Sequence, residues 1–209
     1  LFIFEEPYLG AMYEKNSYDQ IYDEHIFMFS ASSINKIFKK YNFELIDVIP
    51  QKTHGGSMRY VISRKNSRSI SKNIKKLIQN EKKLKLNNIS SCFKFKKNCE
   101  LSKKNFRSKI LKFKKEGKII CGYAASAKST TALNYCRIKH NHIDYIADST
   151  KEKTGKFTPG THIPVVSINY FRKNYPDIVI LCSWNHKKEI MEKEKEFKKK
   201  GGKWISHVK

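Results

Sequence analysis

The chain has 209 residues, 39% of them hydrophobic, and a formal net charge of +24 at pH 7. That length supports one large or two small cores. No apolar run reaches the ~18 residues that a membrane span needs, and no basic segment followed by an apolar one marks a secretory leader, so a membrane protein is excluded and a cytoplasmic location is expected.

Taken in chain order, residues 1–64 read as α/β. Leu1-Phe2-Ile3-Phe4 is an apolar run short enough for a buried strand, closed by Glu5-Glu6-Pro7. A long connection follows through Tyr8-Leu9-Gly10 to Ser17-Tyr18-Asp19-Gln20. Ser30 or Ser32 is a plausible cap for a helix with Ile34, Ile37, Phe38 and Tyr41 on one face. Phe43 to Ile49 then reads as a strand stopping at Pro50, and Met58 to Ser63 as another, with Gly55-Gly56 permitting a tight bend between them.

Residues 65–116 have another character. Ile70, Ile74, Leu77, Ile78 and Leu84 recur at helical spacing among lysines, and so do Leu101, Phe106, Ile110, Leu111 and Phe113. Two amphipathic helices with basic outer faces are expected, read as a solvated connector rather than a membrane-surface element. Between them, Phe93-Lys94-Phe95-Lys96 alternates like a short extended piece.

Residues 117–209 alternate strand and helix. Strands are expected at Lys118–Gly122, Ile143–Asp148, Ile178–Cys182 and Lys203–Ser206. Helices are expected from Ser129 or Thr130 to about Lys139, and from Lys187 to Lys200, where Gly201-Gly202 stops the second. Near-continuous apolar strands separated by helices indicate a parallel sheet covered on both faces, with ligands beyond the carboxyl ends of its strands.

The positive charge is concentrated. Residues 64–118 carry 20 Lys or Arg against Glu81, Glu100 and Glu116, about +17 of the total. Nearly all of it is Lys, whereas readers of bases and phosphates favour the bidentate fork of Arg. Ile and Asn are abundant too, and an AT-rich coding sequence produces that joint excess. A compositional origin is preferred to nucleic-acid binding, with a polyanion-binding protein kept as an alternative. The five cysteines, Cys92, Cys99, Cys121, Cys136 and Cys182, show no repeating spacing and no C-x-x-C pair. They read as reduced thiols, and no metal site is expected in this chain.

Two places carry chemistry. Gly122-Tyr123-Ala124-Ala125-Ser126-Ala127-Lys128-Ser129-Thr130 joins a strand to a helix, where backbone N–H groups, hydroxyls and a Lys can cradle an anion. It differs from a P-loop by Ala127 in place of a glycine. A phosphate or diphosphate site and a plain capped turn both fit. The second place is Tyr22-Asp23-Glu24-His25. On a helical turn Tyr22 and His25 share a face, and an imidazole beside a carboxylate and a phenol suits proton abstraction. A solvated acidic turn with a packed Tyr is the alternative.

Several segments resemble the S-adenosylmethionine-dependent sugar C-methyltransferases. These are Leu1–Tyr8, Tyr18–Ser30, His54-Gly55-Gly56-Ser57-Met58-Arg59-Tyr60, Gly122–Lys128, Pro159-Gly160-Thr161-His162-Ile163-Pro164 and Ser183-Trp184-Asn185. They follow the family's order and cover most of the chain outside the basic stretch. The resemblance implies the end of a Rossmann-type methyltransferase domain (1–64), a Lys-rich helical connector (65–116) and a second Rossmann-like α/β domain binding a nucleotide sugar (117–209). It implies a substrate with a 4-keto-deoxysugar, His25 as the base, and Tyr22 and Glu24 as neighbours that orient it or steady an enolate. Ser126, Lys128, Ser129 and Thr130 would hold the diphosphate, with His54, His162 and Trp184 as further candidates for the cleft. The glycine-rich loop for S-adenosylmethionine and the zinc-binding cysteines of the family have no match in this chain. The expectation is therefore a fragment whose N-terminal half acts in cis or in trans. A non-catalytic nucleotide-sugar-binding fragment stays open.

Overall fold

In the computed structural model, residues 1–208 are described, and they divide into two compact units. Residues 1–17 and 23–98 form the first; residues 18–22 and 99–208 form the second.

The first unit begins with strand β1 (Phe2–Pro7) and helix α1 (Leu9–Lys15). The long connection expected here thus contains a helix, which ends at Asn16 in the left-handed conformation that suits Asn. Helix α2 (Ala31–Lys39) starts where Ser30 and Ser33 cap each other reciprocally. Strands β2 (Phe43–Gln51) and β3 (Ser57–Arg64) pair antiparallel, and β1 pairs antiparallel with the other side of β3, giving the order β1-β3-β2. The strand expected to stop before Pro50 runs through it; β2 is an edge strand, where a missing N–H is tolerated. β1 is likewise an edge strand and not a buried one, with Phe2 and Ile3 exposed. Helix α3 (Lys72–Lys83) and α2 pack on the sheet, and Ile34, Leu45, Val48, Tyr60, Ile62 and Ile74 form the core beneath them.

Helix α4 (Ile89–Lys115) begins in the first unit and continues in the second, the division falling after Asn98. It runs through Phe93–Lys96, expected as extended: Phe95 stacks on Tyr13 at 6.1 Å while Phe93 faces solvent, so tertiary contact overrides the two-residue alternation. Farther along, Phe106 and Ile110 are buried.

The second unit is an all-parallel five-stranded sheet with order β6-β5-β4-β7-β8. Its elements are β4 (Ile120–Tyr123), α5 (Ala127–Tyr135), β5 (Tyr145–Asp148), β6 (Val165–Ser167), α6 (Ile168–Lys173), β7 (Ile178–Leu181), α7 (Lys187–Lys193), α8 (Lys195–Lys199) and β8 (Lys203–Ile205). The Rossmann-like α/β class is thereby established. Strand β6 and helix α6 are too short to give a periodic signal. The last helix is broken at Glu194, whose φ of −111° and ψ of 34° interrupt the run. The chain winds outward from β4 through β5 to β6, then returns to β7 on the other side, so β4 and β7 flank a topological switch point.

Candidate functional site

In the first unit the hairpin turn between β2 and β3 carries His54. His54, Gly55 and Gly56 take positive φ in succession (52°, 83° and 142°). A Cβ on Gly56 would lie 2.6 Å from that of Ala11, so only glycine fits. The turn is pinned on several sides. Gly56 N–H donates to Thr53 O at 2.8 Å, Tyr8 N–H donates to Gly56 O at 3.1 Å, and Lys15 Nζ donates to Gly55 O. Thr53 Oγ1 and Arg59 donate to Glu5 at 2.7 and 3.1 Å. The Thr53 hydrogen bond leads in holding the Glu5 carboxyl below its ordinary range.

His25 lies against this turn. Its ring meets that of His54 edge-on, with centroids 5.2 Å apart. Its side chain is 9% exposed, and Nδ1 stands 3.8 Å from Glu6 Oε2 on β1. Residues 21–25 form turns and bends rather than a helix, so the shared helical face expected for Tyr22 and His25 does not exist. Glu24 is exposed, and Tyr22 is half-buried and counted with the second unit. The carboxylate beside the imidazole is thus that of Glu6. Sequence reasoning missed it because its closeness comes from strand pairing and not from spacing.

In the second unit Ser126 opens α5, three residues before the start expected. Ser126 and Ser129 cap each other: Ser126 N–H donates to Ser129 Oγ at 2.8 Å and Ser129 N–H to Ser126 Oγ at 3.3 Å. Ala124 before them has φ of 78°, a strained value for a non-glycine residue and one often kept at functional turns. Ala125 N–H donates to Asp148 Oδ2 at 2.7 Å, and Thr150 N–H to Asp148 Oδ1 at 2.8 Å. Burial alone would raise the Asp148 pKa, but these donors and Lys153, 3.5 Å away, outweigh it and hold the carboxyl below its ordinary value.

Lys128 is buried, 7% exposed, with Nζ 3.4 Å from Asn185 Oδ1 and 5.2 Å from the centre of the Trp184 ring. Trp184 Nε1–H donates to Asp19 Oδ2 at 2.7 Å, and His207 Nε2 lies 3.3 Å from Asp19 Oδ1. Asp19 is wholly buried. Burial lowers the Lys128 pKa, and the Asp19 charge opposes that. A buried ammonium beside a buried carboxylate and an indole is an expensive arrangement, of the kind that clusters at functional sites. Asp19, fixed into the second unit by the 3₁₀ turn Tyr18–Gln20, lies in a segment that carries the resemblance but is not among the expected site residues. Thr130 is half-buried in the first turn of α5. His162 is exposed in the turn after Thr158, to whose carbonyl its N–H donates.

A cleft of about 720 Å³ opens beyond the carboxyl ends of β4, β5, β6 and β7. Ala124, Ser149, Lys151, Asn169, Ser183 and Ile190 are among its lining residues, as are Tyr123 and Arg172. Arg172 grips buried Glu194 with two hydrogen bonds, at 2.8 and 3.1 Å, and Tyr123 OH donates to Glu194 at 2.9 Å. Burial leads in pushing the Tyr123 phenol up, so it stays protonated and donating. No group of three or more His, Cys, Asp or Glu among the described residues is arranged to hold a metal ion. Nor is any described helix long and apolar enough to cross a membrane.

The parallel sheet with its topological switch point defines a Rossmann-like α/β protein. The family described as C-methyltransferase C-terminal domain matches residues 52–208, and the chain belongs to it. It is similar to the C-methyltransferase NovU of Streptomyces niveus, 29% identical over 206 residues, covering 98% of this chain. The chain spans about half the length (49%) of that curated relative.

Proposed function

We propose that this chain is the C-terminal part of an S-adenosylmethionine-dependent C-methyltransferase acting on a nucleotide-linked 4-keto-deoxysugar. The observation that carries the reading is His25, drawn out of solvent beside Glu6 and against His54, in a chain that belongs to a C-methyltransferase family. A carbon next to a ketone has an acidic proton, and an imidazole is the side chain suited to remove it near neutrality. Glu6 stands near the Nδ1 side of the ring, where a carboxylate steadies the imidazolium that forms when the base takes the proton. Tyr22 and Glu24 remain proposed as groups that orient the base or steady the enolate, and His54 as a wall of the same place. His162 stays proposed as a contact to the substrate.

S-adenosylmethionine supplies an electrophilic methyl group on a sulfonium. The residues described here include no glycine-rich first strand–loop–helix for it. In this reading that loop, and the zinc site of the family, belong to the half of the protein that the chain does not span, working in cis or in trans. The chain itself supplies deprotonation and positioning. Ser126, Lys128, Ser129 and Thr130 are proposed to hold the substrate's diphosphate at the start of α5. The test is deuterium washout from the carbon alpha to the ketone, measured with the complete protein. His25→Asn is expected to reduce it by at least a hundredfold, the lower range of general-base catalysis. Exchange at the unmutated rate would remove His25 from the role.

A further inference from the structure

Asp19 has no part in the chemistry proposed above, yet it is a fully buried carboxylate. Its Oδ2 accepts from Trp184 Nε1 at 2.7 Å, and its Oδ1 lies 3.3 Å from His207 Nε2. His207 is itself out of solvent, its ring set against those of Tyr18 and Phe106 with centroids 5.2 and 5.8 Å away. Tyr18 meets the end of α5: its ring stands 5.0 Å from that of Tyr135, and its hydroxyl 3.3 Å from Cys136 Sγ. Tyr18, Asp19 and Gln20 are all buried, and the 3₁₀ turn that they form packs on α5. Removing a carboxylate from water costs more than burying an apolar side chain of its size, and the ion pair adds little stability in return. What charged hydrogen bonds add is direction.

That turn runs directly into Tyr22. Ile21 N–H donates to Tyr18 O at 3.1 Å and Tyr22 N–H to Gln20 O at 3.2 Å. Tyr22 belongs to the same unit as Asp19 and is half-buried, and the chain after it forms turns and bends. A phenol that donates to a developing enolate must be held to within ~0.5 Å of its working place. No long helix or sheet ladder carries Tyr22, so the side-chain anchors of the preceding turn set where it stands. We propose that Asp19, clamped by Trp184 and His207, is the positioning residue for Tyr22. It acts through the backbone of residues 19–22 and not on the substrate. This rests on the reading of Tyr22 as a group that steadies the enolate, and it names what holds that group in place.

The experiment is deuterium washout from the carbon alpha to the ketone of thymidine-diphosphate-4-keto-6-deoxyglucose, with the complete protein, at a temperature where circular dichroism shows each variant folded. Losing one donor to an oxyanion costs about a hundredfold in kcat, and Tyr22→Phe is expected to lose about that much. Asp19→Ala and Trp184→Phe are each expected to lower kcat about tenfold or more, the effect of a misplaced group, with KM within about twofold of the parent. Combined with Tyr22→Phe, neither is expected to lower kcat further, because residues that act as a unit do not add. A residue that only stabilised the fold would lower the melting temperature and leave kcat of the folded protein alone. Should Asp19→Ala fail to fold, Trp184→Phe, which keeps an aromatic ring and removes only the donor to Asp19, carries the comparison. Losses that multiply in the double variants would overturn the inference, as would an unchanged kcat or a raised KM at constant kcat. A slow Tyr22→Phe beside lock variants of parental rate would overturn the inference alone. Parental exchange by Tyr22→Phe would overturn the role of Tyr22 and this inference with it, without touching His25.

Discussion

Asp148 shows how one side chain orders a loop. It ends β5, and its two oxygens hold the N–H groups of Ala125 and Thr150. Its folded pKa lies below its ordinary value, so the sign of its contribution is set. The charged form stabilises the fold at every pH above the unfolded value near ~3.9, and that stabilisation drains away as the pH falls through the folded pKa. Asp148→Asn is expected to lower stability by about 1–2 kcal/mol at pH 7, since each lost charge-assisted hydrogen bond weighs more than a neutral one. Urea unfolding at a series of pH values should show the gap between variant and parent narrowing below about pH 4. A gap of constant size would mean that the charge does not organise the loop. His54 is the residue-scale counterpart in the first unit. Its left-handed backbone is strained by on the order of 1 kcal/mol, and the hydrogen bonds of the turn hold it there.

Among the elements, α2 depends on more than its own capping box. Glu81 on α3 is fully buried and accepts from the N–H groups of Ala31 and Ser32, at 2.7 and 2.9 Å. It also accepts from Tyr8 OH at 3.1 Å and from the Ser32 hydroxyl. A carboxylate at a helix N-terminus meets both the unpaired N–H groups and the positive end of the dipole. Glu81→Ala strands those donors in the interior and is expected to cost about 3 kcal/mol or more. Ser30→Ala, which removes only the hydroxyl cap, is expected to cost about 1 kcal/mol. Denaturant midpoints of the two variants check the order, and a larger loss for Ser30→Ala would reverse the assignment of the dominant cap. Glu81 also explains how a strongly basic helix stays attached to its sheet. The lysines of α3 face water while Ile74, Leu77 and Ile78 meet the core and Glu81 meets α2.

For the whole molecule, the net charge of +24 works against compactness. Like charges spread over a small surface repel, and salt screens them over about 10 Å at 0.1 M. Raising sodium chloride from ~20 to ~200 mM is therefore expected to raise the melting temperature of the chain by several degrees, measured by scanning calorimetry. An unchanged or lower melting temperature would show that the lysine-rich surface is already balanced by acidic partners. The same charge sits mostly on α3 and α4.

Local chemistry made much of this protein legible from its residues. Ser30 before a three-and-four-residue apolar pattern announced α2, and the apolar runs at 143–148 and 178–182 announced buried parallel strands, because period and capping act over a few residues. The imidazole at 25 and the serine-rich strand–helix turn at 126–129 stood out for the same reason. Tertiary structure alone decided which carboxylate stands beside His25, since β1 must pair with β3 before Glu6 comes near. It likewise decided that Asp19 is buried against Trp184, 165 residues away in sequence, and that a cleft opens beyond the ends of β4 and β7. Those contacts join groups far apart along the chain. Their free energy comes from burial and desolvation in the folded state, which no short window of residues contains.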